Sequence, residues 1–272
     1  MKVLTMFLFI IITPGYSQGL LFNEVAFNKR TKLEILRSDK VEIRASIKDY
    51  CPYVLFQRGA TCVALSIANA RTILFAKEKS IRNQSDISAL RFSPYWVYVR
   101  NREEGDVDCS KGLDIERALD DMKSNGLIGV EDFEYPKYYP FTEVTMCGQD
   151  MVISEEMRLE ARNYTVSGVY GIHSLDGIKV SLSKGAPVIV GMVTPESLIN
   201  AFGEVVWLPK ESDLGGSSFL HAMVIVGYDD NMYNGSVQIM NSWGENWGKE
   251  GFIWIRYEDL LKYTLGAYVL ED

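Results

Sequence analysis

Cys62, His221 and Asn241 are the residues of this 272-residue chain whose types and surroundings could perform covalent catalysis. Cys62 opens an apolar run of Val63, Ala64, Leu65, Ile67, Ala68, Ile73, Leu74 and Phe75, with Thr61 at the N-cap position. The apolar positions fall nearly all round the turn, so the spacing predicts a buried helix that begins at the thiol. A sulfur at that place faces unpaired backbone N–H groups and the positive end of the helix dipole, and both favour the nucleophilic thiolate. Taken alone, Cys62 would serve equally well as a buried structural cysteine. His221 sits in the apolar run FLHAMVIVGY, where a histidine is commonly a core residue. The chain has only one other histidine, His173, which lies beside a helix start with no accompanying motif. Twenty residues after His221 comes Asn241, in MNSWGENWG. An asparagine oxygen can accept one ring N–H and hold the imidazole in place.

The elements that must position these residues divide into two halves. Helices are expected from Cys62, from Ser93-Pro94 with proline in the first turn, from Leu113 to Asn125 with Gly126 as the stop, and from Glu155 to Asn163 capped by Ser154. One more runs from Ser174 to Lys184, ended by Gly185 and Pro187. Strand-like runs then cover Val188–Val190, His221–Val226, Val237–Met240, Phe252–Ile255 and Ala267–Leu270. Helices first and strands second predict an α+β fold with a helical lobe over about 60–165 and a β-rich lobe over about 170–272. A cleft between two such lobes is a natural site for chemistry.

Composition narrows the class. The net charge is −8 and no basic stripe is present, so no nucleic-acid partner is expected. Lys2, the apolar run Val3–Thr13 and Pro14-Gly15-Tyr16-Ser17 describe a secretory signal peptide cut after Ser17. The run is shorter than the about 20 apolar residues needed to span a bilayer, so no membrane anchor is expected. This divides the chain into a signal peptide at 1–17, a short N-terminal segment at 18–45 and one domain at 46–272, in a secreted or periplasmic protein. Lys29-Arg30-Thr31-Lys32 reads as a solvated basic loop. The cysteines Cys51, Cys62, Cys109 and Cys147 contain no CxxC pair, and with two histidines they do not suggest a metal site or a cofactor. If Cys62 is catalytic, at most one disulfide can form among the other three.

Three segments carry a family resemblance. QRGATCVALSIANA around Cys62, LHAMVIVGYDD around His221 and IMNSWGENWGKEGFIWIRYED around Asn241 resemble, in that order, the active-site segments of papain-like cysteine peptidases. SIKDYCPYVLFQRGATC is most similar to secreted bacterial members, and the resemblance runs from about residue 46 to the C-terminus. It implies the papain-like fold, with a helical lobe, a barrel-like β lobe and the active site between them. It also implies hydrolysis of peptide bonds in a peptide or protein substrate, through a Cys62 thiolate and an acyl-enzyme. Trp243 would cover the His221–Asn241 bond, and Gln57 would share the oxyanion with the Cys62 backbone N–H. Here the sequence departs from the family. Gln57 stands five residues before the cysteine rather than six, Arg58 replaces the usual glycine and Val63 the usual aromatic. Gly112, in Cys109-Ser110-Lys111-Gly112, would approach the substrate backbone, and Ala222 and Gly191, with Met192, would wall the pocket for the residue second from the cut. By analogy Cys109 pairs with Cys147 and Cys51 is free. Many relatives carry a long inhibitory propeptide, and the 44 residues between Ser17 and Cys62 leave no room for one, so that form of control is not expected. Residues 18 to about 45 could lie on the surface or partly cover the cleft. The short Gln57 loop motivates an alternative, a non-catalytic relative that binds peptides. A thiol acyltransferase is a third reading, and the protein is expected to be a monomer.

Overall fold

The computed structural model describes residues 19–134 and 152–272. The expected signal peptide and Cys147 lie outside the described residues. The chain begins with β1 (Leu20–Leu21), α1 (Glu24–Lys29) and β2 (Arg44–Ser46). The helical lobe follows, with α2 (Cys62–Glu78), α3 (Gln84–Ala89), α4 (Pro94–Asn101), β3 (Leu113–Asp114), α5 (Ile115–Asn125) and α6 (Glu155–Ala161). The second lobe contains β4 (Gly168–Ile172), α7 (Leu175–Lys184), β5 (Val188–Pro195), α8 (Glu196–Ile199), β6 (Val206–Trp207) and β7 (Ser218–Asp229). It ends with β8 (Ser236–Met240), β9 (Phe252–Arg256), α9 (Tyr257–Tyr263) and β10 (Thr264–Glu271). The architecture is α+β, as the change of pattern along the sequence predicts.

Local chemistry sets the helix ends. The Ser93 side chain accepts from Trp96 N with Pro94 at the first helical position, Ser154 accepts from Met157 N, and Ser174 accepts from Gly177 N. α5 starts two residues later than the sequence suggests. Leu113 and Asp114 pair with β1 instead, and the Asp114 side chain caps the helix by accepting from Arg117 N. Gly126 ends α5 with φ +72°, and a Cβ there would lie 1.8 Å from the Ala161 carbonyl oxygen. Gly126→Ala therefore combines left-handed strain with a backbone clash. It is expected to lower unfolding free energy by about 3 kcal/mol or more, read from the urea midpoint.

The larger sheet runs β4-β10-β5-β7-β8-β9-β6, with β2 added on β7. Its pairs are antiparallel except β6 with β9. β7 lies inside the sheet between β5 and β8, so the residues it carries are held from both sides. α2 is buried along most of its length, as a helix apolar all round must be, and its first turn meets β7 across the lobe boundary.

Two sequence expectations change. The N-terminal segment, to which the sequence reading assigned no helix or strand, contains β1, α1 and the start of β2. Arg30, read as part of a solvated loop, is mostly buried and pairs with Glu116 and Asp120 of α5 at 2.5 and 2.8 Å. The partners are 86 and 90 residues away, so local sequence carries no sign of them.

Candidate active site

The first turn of α2 delivers the sulfur. Thr61 occupies the N-cap position but makes no side-chain cap, and its hydroxyl donates to the Arg58 carbonyl at 2.9 Å. The Cys62 sulfur is fully buried and is met by the backbone N–H groups of Ala222, Val63, Cys62 and Gly19. Burial pushes the thiol up to about 12, and those N–H groups pull in the opposite direction. Ala222 directly follows His221 on β7, so the strand that contacts the sulfur is the strand that carries the imidazole.

The ring is fixed by two contacts. Trp243 stacks on it with centroids 4.4 Å apart and planes 28° apart. His221 Nε2 lies 2.7 Å from Asn241 Oδ1. The same oxygen accepts the Ser242 backbone N–H at 2.7 Å, which identifies that side-chain atom as the carbonyl oxygen. The carbonyl can only accept, so Nε2 carries the proton and Nδ1 keeps the basic lone pair. Nδ1 is buried and makes no hydrogen bond among the described residues. Burial pushes the ring down to about 4, a fall that the bond to Asn241 opposes. At neutral pH the covered pair is therefore a thiol and a neutral imidazole.

This shift has a stability consequence. The ordinary histidine value is 6.5 and the folded value about 4, so the neutral ring stabilises the fold fully above pH 6.5. That contribution is lost as pH falls through 4, and a span of about 2.5 units corresponds to about 3 kcal/mol. The urea midpoint of the unmodified protein should therefore fall more steeply between pH 6.5 and 4 than that of His221→Leu.

Gln57 is buried near the same point. Its Oε1 accepts from Ser242 Oγ at 2.8 Å and its Nε2 donates to the Gly59 carbonyl at 3.0 Å. The shortened loop thus keeps the Gln57 amide at the asparagine segment, with its nitrogen engaged by Gly59. Ser242 is a site residue that the sequence reading did not single out, although it stands next to Asn241.

The cleft itself is filled by the chain. A Cβ on Gly19 would lie 2.7 Å from the Cys62 sulfur. Gly112 has φ +76°, and a Cβ there would lie 2.5 Å from the Gly19 carbonyl oxygen, so two backbones pass in contact where Gly112 was expected to meet a substrate. Gly191 pairs with Ala222 across β5 and β7, and a Cβ on Gly191 would lie 2.9 Å from Leu20 Cδ2. Gly112, Gly191, Ala222 and Trp243 therefore take three roles at the site. Gly112 and Gly191 meet Gly19 and Leu20, and Ala222 meets the sulfur. Trp243 packs on the histidine rather than against the incoming chain. Neither Gly19 nor Leu20 was foreseen, because two residues of β pairing leave no periodicity to read.

Cys51 and Cys62 are free and buried. Cys109 is buried, and its expected partner Cys147 is among the residues not described. Among the described residues no group of histidine, cysteine and carboxylate side chains could hold a metal ion, and no helix is long and apolar enough to cross a membrane.

The chain is similar to known proteins in family and in fold. The family model described as papain family cysteine protease matches residues 60–267. A curated relative, the uncharacterized peptidase C1-like protein L477 of Acanthamoeba polyphaga mimivirus, is 23% identical over 214 residues, which are 76% of this chain. The match spans 65% of that relative's own length. Among solved structures, xylellain, a cysteine protease from Xylella fastidiosa, superposes with a TM-score of 0.75 at 20% identity, over 94% of this chain and 96% of that one. Procathepsin B S9 from Trypanosoma congolense gives 0.71 at 14% identity, over 94% and 87%. These likenesses establish the fold.

Proposed function

Because the chain belongs to the papain family of cysteine proteases, we propose that it is an exported peptidase that cuts peptide bonds with Cys62 as the nucleophile. The observation that carries this reading is the His221 ring, fixed with Nε2 on Asn241 and with its basic nitrogen making no hydrogen bond among the described residues, on the strand that contacts the sulfur.

The reaction follows from these groups. Nδ1 of His221 takes the Cys62 proton, and the thiolate attacks the substrate carbonyl carbon. Negative charge gathers on the carbonyl oxygen, where the Cys62 backbone N–H and Gln57 Nε2 receive it once the amide turns from the Gly59 carbonyl. The imidazolium gives its proton to the leaving amine and a thioester remains. Water, deprotonated by Nδ1, attacks the thioester, and the acid product and the thiol are released. Asn241 keeps the ring in one orientation throughout, and Trp243 shields that hydrogen bond from water.

Hydrolysis of a peptide library by Leu20→Asp, which puts a charge where Leu20 is buried beside Gly191 and so drives residues 19–20 out of the cleft, tests the reading. Cleavage that needs Cys62 supports it, and peptide binding without turnover contradicts it. In the same variant Gln57→Ala is expected to lower kcat on the order of 10²-fold with little change in KM, since the lost donor acts on charge that develops only in the transition state. Export rests on residues 1–17, and N-terminal sequencing of protein recovered outside the cytoplasm should begin at Gln18.

A further inference from the structure

We propose that Arg58 gives the leaving-group side of the cleft a preference for a carboxylate, so that peptides carrying one in the half released as amine are bound best. The proposal rests on the reading of Cys62 as the nucleophile, because the nucleophile and its base define which half leaves. Its test reads binding rather than turnover, so the two can fail separately.

The sides of the cleft follow from the chemistry. The leaving amine takes its proton from His221, so the released half must lie along the wall that carries the ring. That wall is aromatic. Trp243 stacks on His221, and Phe219 stands edge-on to both, with its centroid 6.2 Å from the imidazole and 6.0 Å from the indole. The acyl half falls to the other wall, where Gly112 and Gly191 admit Gly19 and Leu20.

The loop from Phe56 to Ala60 crosses between these walls. At one end Phe56 pairs with Trp243 in an isolated antiparallel bridge, and Gln57 N donates to the Ser242 carbonyl at 2.7 Å. Gly244 lets the Phe56 ring settle there, since a Cβ on Gly244 would lie 3.2 Å from Phe56 Cδ2. At the other end Ala60 N donates to the Cys109 carbonyl at 2.7 Å, and a Cβ on Gly59 would lie 2.5 Å from that same oxygen. Arg58 stands between the two ends, one residue after the amide that serves the oxyanion. Its side chain turns back to the aromatic wall, with Cζ 5.4 Å from the centroid of the Phe56 ring.

The residue types fix what such a place can recognise. Where papain-like peptidases usually carry glycine, this chain carries a guanidinium. Phe56 is 40% exposed and Arg58 is half-buried, so the ring supports the cation at the surface of the cleft rather than hiding it. A cation–π contact holds a long side chain in place and so lowers the entropy lost on binding. The planar group has five N–H donors, more than one neighbour takes up, and two parallel ones match a carboxylate. The chain as a whole carries a net charge of −8, so its overall field does not draw an acidic peptide. A preference for one has to come from a local cation, and Arg58 is placed to give it. An acidic side chain and a C-terminal carboxylate present the same chemistry.

The test is peptide binding by Leu20→Asp/Cys62→Ala, which opens the cleft and cannot form an acyl-enzyme, read by displacement of a fluorescent peptide. Acetylated and amidated hexapeptides carry glutamate, glutamine or lysine at one position of the C-terminal half. The glutamate peptide should bind about 10-fold more tightly than the glutamine peptide. Added to that background, Arg58→Gln should erase the difference, Arg58→Lys should keep part of it, and Arg58→Glu should reverse it in favour of lysine. The glutamine peptide should bind all forms alike, which a merely structural role for Arg58 would not allow. Glutamate moved to the N-terminal half should gain nothing. A glutamine peptide ending in a carboxylate instead of an amide separates the two sources: preference for that terminus alone, or for glutamate alone, assigns the one that Arg58 takes. No preference for either carboxylate, a preference that survives Arg58→Glu, one that follows glutamate into the N-terminal half, or no binding of any peptide would overturn the proposal.

Discussion

Replacing Cys62 with alanine in the Leu20→Asp background should abolish peptide hydrolysis, with a fall on the order of 10⁴-fold or more. The size of the effect follows from the chemistry. Without the sulfur no acyl-enzyme can form, and His221 would have to activate water directly at a site shaped for a thioester. The N–H groups around position 62 and the cleft walls remain, so a small residual rate is expected rather than none. The fold should tolerate the change. Cys62 is the first residue of a helix whose own apolar faces hold it in place, and removing one sulfur from a site that also opens on the cleft leaves little to collapse. Activity that survives in the alanine variant would end the assignment of Cys62.

His221→Ala should be comparably damaging, and it carries a signature that distinguishes a base from a packing residue. In Leu20→Asp, with residues 19–20 out of the cleft and His221 in place, Cys62 should alkylate at a rate nearly independent of pH from about 5 to 8, because an imidazolium beside the thiolate holds the pair charged across that range. In His221→Ala the rate should rise with pH and follow a thiol of ordinary value near 8.5 or higher. Peptide hydrolysis should fall on the order of 10⁴-fold. Cavity formation beneath Trp243 will also cost stability, so His221→Gln is the better-packed control and should show the same pH profile. A flat profile that persists after loss of the imidazole would mean that another group ionises the thiol.

How much of this was legible in the sequence depends on how local the cause is. The helix that starts at Cys62 was readable because its apolar residues and flanking turn are contiguous. The same holds for the cap at Ser154 and for the helix starts at Ser93 and Ser174, which the structure shows to be caps too, each short side chain accepting from a backbone N–H three residues on. The alliance of His221 with Asn241 was readable from the segments that carry them, and the structure supplies the hydrogen bond. The orientation of Gln57 was not, since it is set by Ser242, 185 residues away. Nor was the filling of the cleft. Gly19-Leu20 is an unremarked dipeptide until Gly112 and Gly191 leave room for it, and Arg30 looks solvated until Glu116 and Asp120 close around it. β4 was missed for a related reason. Its sequence GVYGI is interrupted by Gly171, which breaks the strand pattern, and Gly171 packs beside His173 and Phe27 with no side chain of its own. Contacts between distant segments decide these features, and no window of sequence contains both partners.

The central claim is that the Cys62 sulfur becomes covalently joined to the acyl half of a peptide during turnover. Intact-mass measurement of Leu20→Asp, quenched in acid within the first turnovers of a slow ester or amide substrate, reads this directly. The account predicts an added mass equal to the acyl group, mapped to the peptide containing Cys62 and absent after Cys62→Ala. Continued turnover with no adduct, or an adduct mapped to Cys51, would contradict it.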